Sequence, residues 1–297
     1  MKYLSRNFSV LHLQDLVQRW AEGELPSNAA VVTFDDGYVD NLANAKPVLE
    51  RWKVPATVFV ATEYTGHSRE FWWDELDRIV LQPGTLPKEL RLGLDGEILE
   101  WDLGSSARYT EKDHRRFGRW RAEGTADPTP RHALYKKLYS VLQPLAHTKK
   151  VEILDQLLTW ANASPQGRPD YRALSSDELL SVEEGGLVGI GAHTVTHPVL
   201  SSLSTEAQRD EIVRAKEQLE KLLGHPVPHF AYPHGARGAF TNESVALVRA
   251  AGFVSACSSL EGVVRPDNDI LQLPRMQVRD WNKNEFGKRL AMFASSK

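Results

Sequence analysis

The chain has 297 residues, a length that allows one large α/β domain or two modest ones. Its composition, with 41% hydrophobic and 25% charged residues, is that of an ordinary globular protein. The formal net charge of -3 excludes the basic excess that most nucleic-acid-binding proteins carry. A single cysteine, Cys257, excludes an intramolecular disulfide, and no stretch approaches the ~18 consecutive apolar residues of a transmembrane helix.

Short apolar runs that are rich in β-branched residues recur along the chain and predict buried strands. Most of these runs are nearly continuous rather than alternating, which is typical of strands covered on both faces in a parallel sheet or barrel. The predicted strands are residues 30–34, 56–61, 187–192, 229–232, 253–257 and 271–278. Helical patterns lie between them, so the chain is predicted to have an α/β fold with parallel strands.

One region interrupts this alternation of strand and helix. Residues from about 64 to 172 are rich in Arg, Trp, Pro and Gly, and residues 134–163 predict two helices that are separated near Pro144. We therefore expect a mainly helical insertion at about 64–172 that extends one connection of the barrel. The aromatic run at 71–73 and the Arg-rich run at 115–121 could line a substrate cleft, but packing and a solvated face are the more common roles of such runs.

Capping residues mark the helices that follow the insertion. Ser175 with Glu178 has the spacing of a capping box. Ser204 precedes a helical pattern that ends at Gly224, and Thr241 precedes another. These signals predict three helices in the second half of the chain.

The first chemical feature is the pair Asp35-Asp36, which follows the predicted strand 30–34 and precedes Gly37. In α/β folds, functional sites are built at the carboxyl ends of parallel strands. Taken alone, two acids at this place also suit the first turn of a helix, where the helix dipole favours negative charge.

The second feature is the pair His193 and His197, which follows the predicted strand 187–192. Residues four apart lie on one face of a helical turn, so both imidazoles could reach one ion. Two imidazoles and one carboxylate make a facial ligand set that leaves positions open for water and substrate. One acid of the first pair can then be a metal ligand, and the other can act as a general base.

A third segment, at 229–240, leads from a predicted strand into a turn at His234-Gly235. Backbone N–H groups in such a turn can point at an oxyanion. The same residues are also typical of a plain transition from strand to loop.

Together these segments resemble the polysaccharide deacetylase family, which is carbohydrate esterase family 4 with its nodulation-type (NodB-homology) domain. The matching runs are TFDDG at 33–37, HTVTH at 193–197 and FAYPHG at 230–235, with LPRMQVRDW at 273–281 as a less distinctive match. The FAYP form marks a subgroup. The resemblance covers most of 27–290 apart from the insertion. It implies a distorted (β/α)7 barrel, and we expect residues 1–297 to form a single such domain with its insertion.

The resemblance also implies roles for individual residues. Asp35 would be the catalytic base. Asp36, His193 and His197 would bind a divalent metal, which is zinc by default and cobalt, nickel or iron as alternatives. The backbone N–H of His234 would help to hold the oxyanion.

Two departures from the family pattern concern the base and the acid. Many members have an Arg, paired with the base, at the position of Ala231, and here we expect Arg275 to occupy similar space. The late histidine that supplies the general acid has no counterpart, because no histidine follows His234. His234 itself or a water at the metal could serve instead.

Tyr232, Pro233 and Trp281 lie in the matching segments, and we expect them to contact the substrate. The expected reaction is metal-dependent hydrolysis of the N-acetyl group of an N-acetylated sugar, polymer or glycan precursor, with release of acetate. The alternatives are a carbohydrate-binding pseudoenzyme and a hydrolase of another non-peptide amide.

The first twenty residues lack the apolar core and the small-residue cleavage site of a signal peptide, so we expect a cytoplasmic protein. A cytoplasmic location would favour a glycan precursor, a lipid-linked sugar or a nucleotide sugar over a cell-wall polymer. We expect no nucleic-acid partner.

Overall fold

The computed structural model describes residues 1–94, 96–122, 124 and 126–295. The chain divides into two compact units, of which the first is Met1–Gly66 with Ala173–Lys297 and the second is His67–Arg172. No helix within the described ranges is both long enough and apolar enough to cross a membrane.

The strands are β1 Ser9–Val10, β2 Ala29–Ala30, β3 Val32–Phe34, β4 Ala56–Val60, β5 Gly84–Thr85, β6 Glu89–Leu94, β7 Glu97–Asp102, β8 Arg108–Tyr109, β9 Val188–Ala192, β10 His229–Ala231 and β11 Ser255–Cys257. The helices are α1 Lys2–Asn7, α2 Leu13–Glu22, α3 Lys46–Trp52, α4 Trp72–Val80, α5 Glu111–Phe117, α6 Pro130–Leu142, α7 His147–Ala161, α8 Ser176–Glu183, α9 Thr205–Leu223, α10 Asn242–Ala250 and α11 Lys283–Ser295.

The first unit is built on a five-stranded sheet in the order β11-β10-β9-β4-β3, and all its pairings are parallel. β1 pairs in parallel with β2, which only Val31 separates from β3. At the other end of the sheet, Leu273 forms a parallel bridge with Cys257 of β11. Seven chain segments therefore follow one another in parallel, and the predicted α/β fold is confirmed.

The core of the first unit lies between this sheet and the helices that connect its strands. Every residue of β4 is buried, and β4 pairs along its whole length with β9. Leu179 of α8, Ile212 of α9 and Val248 of α10 are fully buried in the same cluster. The continuous apolar runs of the sequence thus correspond to strands covered on both faces.

The predicted caps are confirmed. The side chains of Ser175, Ser204 and Thr241 each accept a hydrogen bond from a backbone N–H in the first turn of α8, α9 and α10. Gly224 ends α9 in the left-handed conformation with φ of 76°.

The predicted strand at 271–278 is wrong. The chain forms a 3-10 turn at Ile270–Gln272 and bridges to β11 at Leu273. Leu273 exchanges backbone hydrogen bonds with Ala256 and Ser258, but the next N–H on that side, from Arg275, donates to the carbonyl of Leu260, so the ladder ends.

The second unit has its own apolar core, which α4, α6 and α7 share. The predicted break near Pro144 is confirmed, since α6 ends at Leu142 and α7 begins at His147. The antiparallel pairs β5–β8 and β6–β7 were not expected. Alternation along β6 was the available signal, because Leu90 and Leu92 are buried between exposed neighbours.

A buried guanidinium joins the helical and strand parts of this second unit. Arg131 is 1% exposed, and its nitrogens donate hydrogen bonds to five backbone carbonyls, those of Val80, Gln82, Gly84, Ser106 and Ala107. Burial lowers the pKa of Arg131 to about 10, so this residue still carries its charge at neutral pH.

His229 opens β10 and is buried, with its Nδ1 2.9 Å from Ser255 Oγ. Burial lowers the pKa of His229 from 6.5 to about 4. Between these two values the unfolded chain binds a proton that the folded chain does not. The unfolding free energy should therefore fall as the pH falls through this range.

We predict that this loss amounts to up to about 3 kcal/mol between pH 6.5 and pH 4, and that His229→Gln removes most of it. Urea unfolding at several pH values measures the effect. His67→Gln, at an exposed position, is the control and should keep the wild-type slope. An unchanged slope in His229→Gln would contradict the assignment.

Candidate functional site

The chemical side chains predicted from the sequence meet at one edge of the sheet. Asp35 and Asp36 follow the end of β3, His193 follows the end of β9, and His234 lies three residues beyond β10. Because these strands belong to one parallel sheet, their carboxyl ends lie at the same edge.

Asp36, His193 and His197 converge on one point. Asp36 Oδ1 lies 3.5 Å from His193 Nε2 and 3.2 Å from His197 Nε2. One possible ligand atom from each residue lies within 4.8 Å of the other two. This spacing lets all three donors reach a single ion.

The chemistry of this donor set fits a divalent transition metal. His193 Nδ1 lies 2.7 Å from the carbonyl oxygen of Ala231, which can only accept. Nδ1 must therefore carry a hydrogen, and Nε2 is the nitrogen that faces Asp36 and would bind a metal once deprotonated. Two imidazoles with one carboxylate form a set that suits zinc and its neighbours and leaves further coordination positions open.

Electrostatics hold Asp36 in its ionised form. Burial raises the pKa of Asp36, but hydrogen bonds from His193 and His197 outweigh it, and the pKa lies far below its ordinary value. Burial lowers the pKa of His197, whereas for His193 the nearby carboxylates outweigh burial and raise the pKa. The ionised Asp36 thus favours positive charge on the groups that face it.

Backbone strain is concentrated here. Asp36, Thr194, His197 and His234 have φ values of 75°, 65°, 56° and 60°. This left-handed region is uncommon for residues other than glycine. Such outliers persist only where surrounding contacts hold them, and they cluster at functional sites.

Asp35 faces a different partner from that of its neighbour. Nη1 and Nη2 of Arg275 donate to the two carboxylate oxygens of Asp35, each over 2.8 Å. Nε of Arg275 donates to the carbonyl of Ser258 over 2.7 Å, and Nη1 also donates to Thr33 Oγ1 over 3.0 Å. The Asp35 side chain nevertheless remains 31% exposed, so water or a ligand can reach it.

These contacts set the charge of Asp35. Burial raises the pKa of its carboxyl, but the Arg275 guanidinium and His193 overcome that effect, so the pKa lies below its ordinary value. Asp35 is therefore a carboxylate at neutral pH, which a proton acceptor must be.

The FAYPHG segment contributes less than expected. Tyr232 is fully buried, its ring stacks on Phe240 at 4.1 Å, and its hydroxyl donates to the carbonyl of Leu271. Pro233 is also buried. The Tyr232 side chain therefore belongs to the core of the first unit and is not exposed to a substrate. The proposed substrate contact of Pro233 stays a prediction.

The other two residues are placed differently. His234 is half-buried, and its ring centroid lies 4.8 Å from that of His197. The ring of Trp281 lies 4.7 Å from the guanidinium of Arg289 on α11. The proposed substrate contact of Trp281 stays a prediction.

Comparison with known proteins identifies the class to which this fold and site belong. The family model described as polysaccharide deacetylase matches residues 22–85 and 127–256, so the chain belongs to the polysaccharide deacetylase family.

Solved structures share the fold over nearly the whole chain. The Streptococcus pyogenes deacetylase PplD in complex with acetate has a TM-score of 0.58 at 16% identity, covering 99% of this chain and 83% of its own. IcaB from Ammonifex degensii has a TM-score of 0.57 at 17% identity, covering 99% and 86%. These likenesses confirm the distorted barrel.

The Bacillus subtilis (strain 168) protein YxkH, whose name places it among polysaccharide deacetylases, is 32% identical over 78 residues. The match spans 26% of this chain and 28% of that relative, little more than a quarter of either.

We predict that Arg275→Met raises the pKa of Asp35, because the carboxylate keeps the cost of its burial and loses both donors. In the wild type the pKa of Asp35 is lowered in the folded chain, so this carboxylate stabilises the fold above its unfolded-state pKa. That contribution is lost as the pH falls through the folded-state pKa. At neutral pH the variant should lose about 2–3 kcal/mol of unfolding free energy. Carboxyl NMR titration and urea unfolding measure the two effects. The exposed Arg279→Met is the control, and a variant whose Asp35 titrates as in the wild type would disprove the pairing.

Proposed function

We propose that the protein is a metal-dependent carbohydrate N-deacetylase, which hydrolyses the acetamide of an N-acetylated sugar to acetate and a free amine. The observation that carries this proposal is the juxtaposition of two sites with different chemistry. An Asp-His-His ligand set lies next in sequence to a carboxylate that is held ionised by an arginine. Family membership supports the same reaction.

Asp36, His193 and His197 would hold the metal. A bound divalent ion would supply a Lewis acid that polarises the acetyl carbonyl and lowers the pKa of water. Zinc is the default for this ligand set, and cobalt, nickel or iron would also suit it.

Asp35 is the proposed general base. Its carboxylate takes a proton from the water whose oxygen attacks the acetyl carbon. Arg275 keeps Asp35 ionised and fixes its orientation through two hydrogen bonds. A base that is already charged and oriented loses little free energy to reorganisation when the proton moves.

His234 is proposed to act twice. Its backbone N–H, in a turn with left-handed φ, would donate to the oxygen of the tetrahedral intermediate. When the C–N bond breaks, the sugar nitrogen must gain a proton to leave as an amine. The half-buried His234 ring beside His197 is the proposed donor of that proton.

A carbohydrate-binding pseudoenzyme is the main rival, together with a hydrolase of another amide. The Asp35–Arg275 pair favours an enzyme. A protein that only bound a sugar would not need a second ionised, partly buried carboxylate beside Asp36, His193 and His197, because burying such a group costs free energy. The acetate in the PplD structure is the product that the proposed reaction releases.

We predict that Asp35→Asn lowers kcat on a chitooligosaccharide by at least about 100-fold, the range for loss of a general base, while metal content stays near that of the wild type. His193→Ala should lose both metal and activity. Acetate release and metal analysis of each purified protein test this pair. If His193→Ala retains its metal, the ligand assignment is wrong. If Asp35→Asn remains active, the base assignment is wrong.

We predict that His234→Asn slows acetamide hydrolysis by about 100-fold and hydrolysis of 4-nitrophenyl acetate by far less, because a nitrophenolate leaves without a proton. Asn tolerates left-handed φ and keeps the backbone N–H, so the substitution isolates the ring. Equal losses on both substrates would assign the side chain a role other than proton donation.

A further inference from the structure

A carboxylate on α9 holds the turn that carries the two histidines. Glu211 Oε2 accepts hydrogen bonds from the backbone N–H groups of Val195 and Thr196, each over 2.8 Å. Its Oε1 accepts from Thr196 Oγ1 over 2.6 Å. Both contacted residues lie between His193 and His197, so one side chain spans the segment that separates the two imidazoles.

The opposite side of the same turn is fixed by the end of β4. The N–H groups of Thr62 and Glu63 donate to the carbonyls of Thr194 and Val195 over 3.2 and 2.9 Å. The N–H of His193 donates to the carbonyl of Val60 over 2.9 Å. The residues that follow β4 therefore satisfy the carbonyls of Thr194 and Val195, and Glu211 satisfies the N–H groups of Val195 and Thr196.

The turn needs such support because two of its residues are strained. Thr194 and His197 both have left-handed φ, and the N–H of His197 donates to Thr194 Oγ1 over 3.2 Å. Residues in this region return to right-handed conformations unless their surroundings prevent it. Rotation at either residue would move an imidazole away from Asp36.

α9 is a rigid base for this contact. Ile212 and Ala215 are fully buried in the core, and Gln218, two turns beyond Glu211, accepts from Thr62 Oγ1 over 2.5 Å. The helix thus contacts both the β4 end and the histidine turn. Arg214 of the same helix donates to Asp210 over 2.9 Å, while both oxygens of Glu211 accept from the turn.

We propose that Glu211 is a positioning residue that sets the spacing of His193 and His197 and thereby the affinity of the site for a divalent metal. This inference rests on the proposed function of the same site. Glu211 does not contact the ion; it acts through the backbone of Val195 and Thr196. Loss of residues that orient metal ligands typically weakens metal binding by about 10–100-fold.

The test measures Co²⁺ binding to the metal-free full chain by competition with a chromophoric chelator. Glu211→Ala should weaken binding by at least about 10-fold and alter the visible absorption bands of bound Co²⁺, which report ligand geometry. Glu211→Gln keeps a carbonyl oxygen for the two N–H groups and should restore affinity to within about threefold of the wild type. Glu217→Ala, at an exposed position of the same helix, should match the wild type.

A second control separates positioning from general stability. Phe253 is buried and precedes β11, and it makes none of the hydrogen bonds between Glu211 and the turn, so Phe253→Leu destabilises the fold without removing those bonds. It should keep wild-type Co²⁺ affinity. Faster amide hydrogen exchange at Val195 and Thr196 is expected in Glu211→Ala and not in Phe253→Leu.

Two outcomes overturn the inference, and they differ. If Glu211→Ala binds Co²⁺ like Glu217→Ala, or loses no more affinity than Phe253→Leu, Glu211 does not position the ligands although the metal site stands. If the wild type binds no Co²⁺, the inference falls together with the proposed function.

Discussion

The site depends on the separation of two adjacent carboxylates. Neighbouring charges repel strongly where water is scarce, so Asp35 and Asp36 can both stay ionised only if each has its own positive partner. The left-handed φ of Asp36 turns its side chain to the imidazoles, while Asp35 faces Arg275. This divergence gives the two acids different chemistry, because one is enclosed by metal-binding groups and the other keeps an exposed face and a fixed charge.

Much of the ligand set could be predicted from sequence, because it follows from one topological rule. Side chains directly after parallel strands meet at one edge of the sheet. The predicted positions of β3 and β9 were therefore enough to place Asp36 and His193 near each other. Arg275 is a different case, since 240 residues separate it from Asp35 and only the fold brings them together. The carbonyl of Ala231 and the carboxylate of Glu211 give no sequence signal, because an alanine and a surface glutamate occur everywhere.

The same limit explains the errors in the fold. Helix caps act within one turn, so Ser175, Ser204 and Thr241 identified their helices. An apolar run does not say which surface it will cover. Residues 271–278 look like a strand but form a bridge to the sheet at Leu273 and no strand, and Tyr232 looks like a ligand contact but is buried in the core. Local interactions are readable from the sequence, whereas partners supplied by distant segments are not.

The segment from which Arg275 comes has a consequence for Asp35, the proposed base. Leu273 exchanges backbone hydrogen bonds with Ala256 and Ser258, and two residues later the Arg275 side chain crosses to Asp35 while it donates to the carbonyl of Ser258. The last segment of the sheet therefore brings the guanidinium to Asp35, where it also donates to Thr33 of β3. Because that guanidinium and His193 together outweigh the burial of Asp35, the ionisation of this proposed base depends in part on the pairing of the last segment with β11. The fold thus couples the closing segment of its sheet to the protonation state of a residue that follows β3.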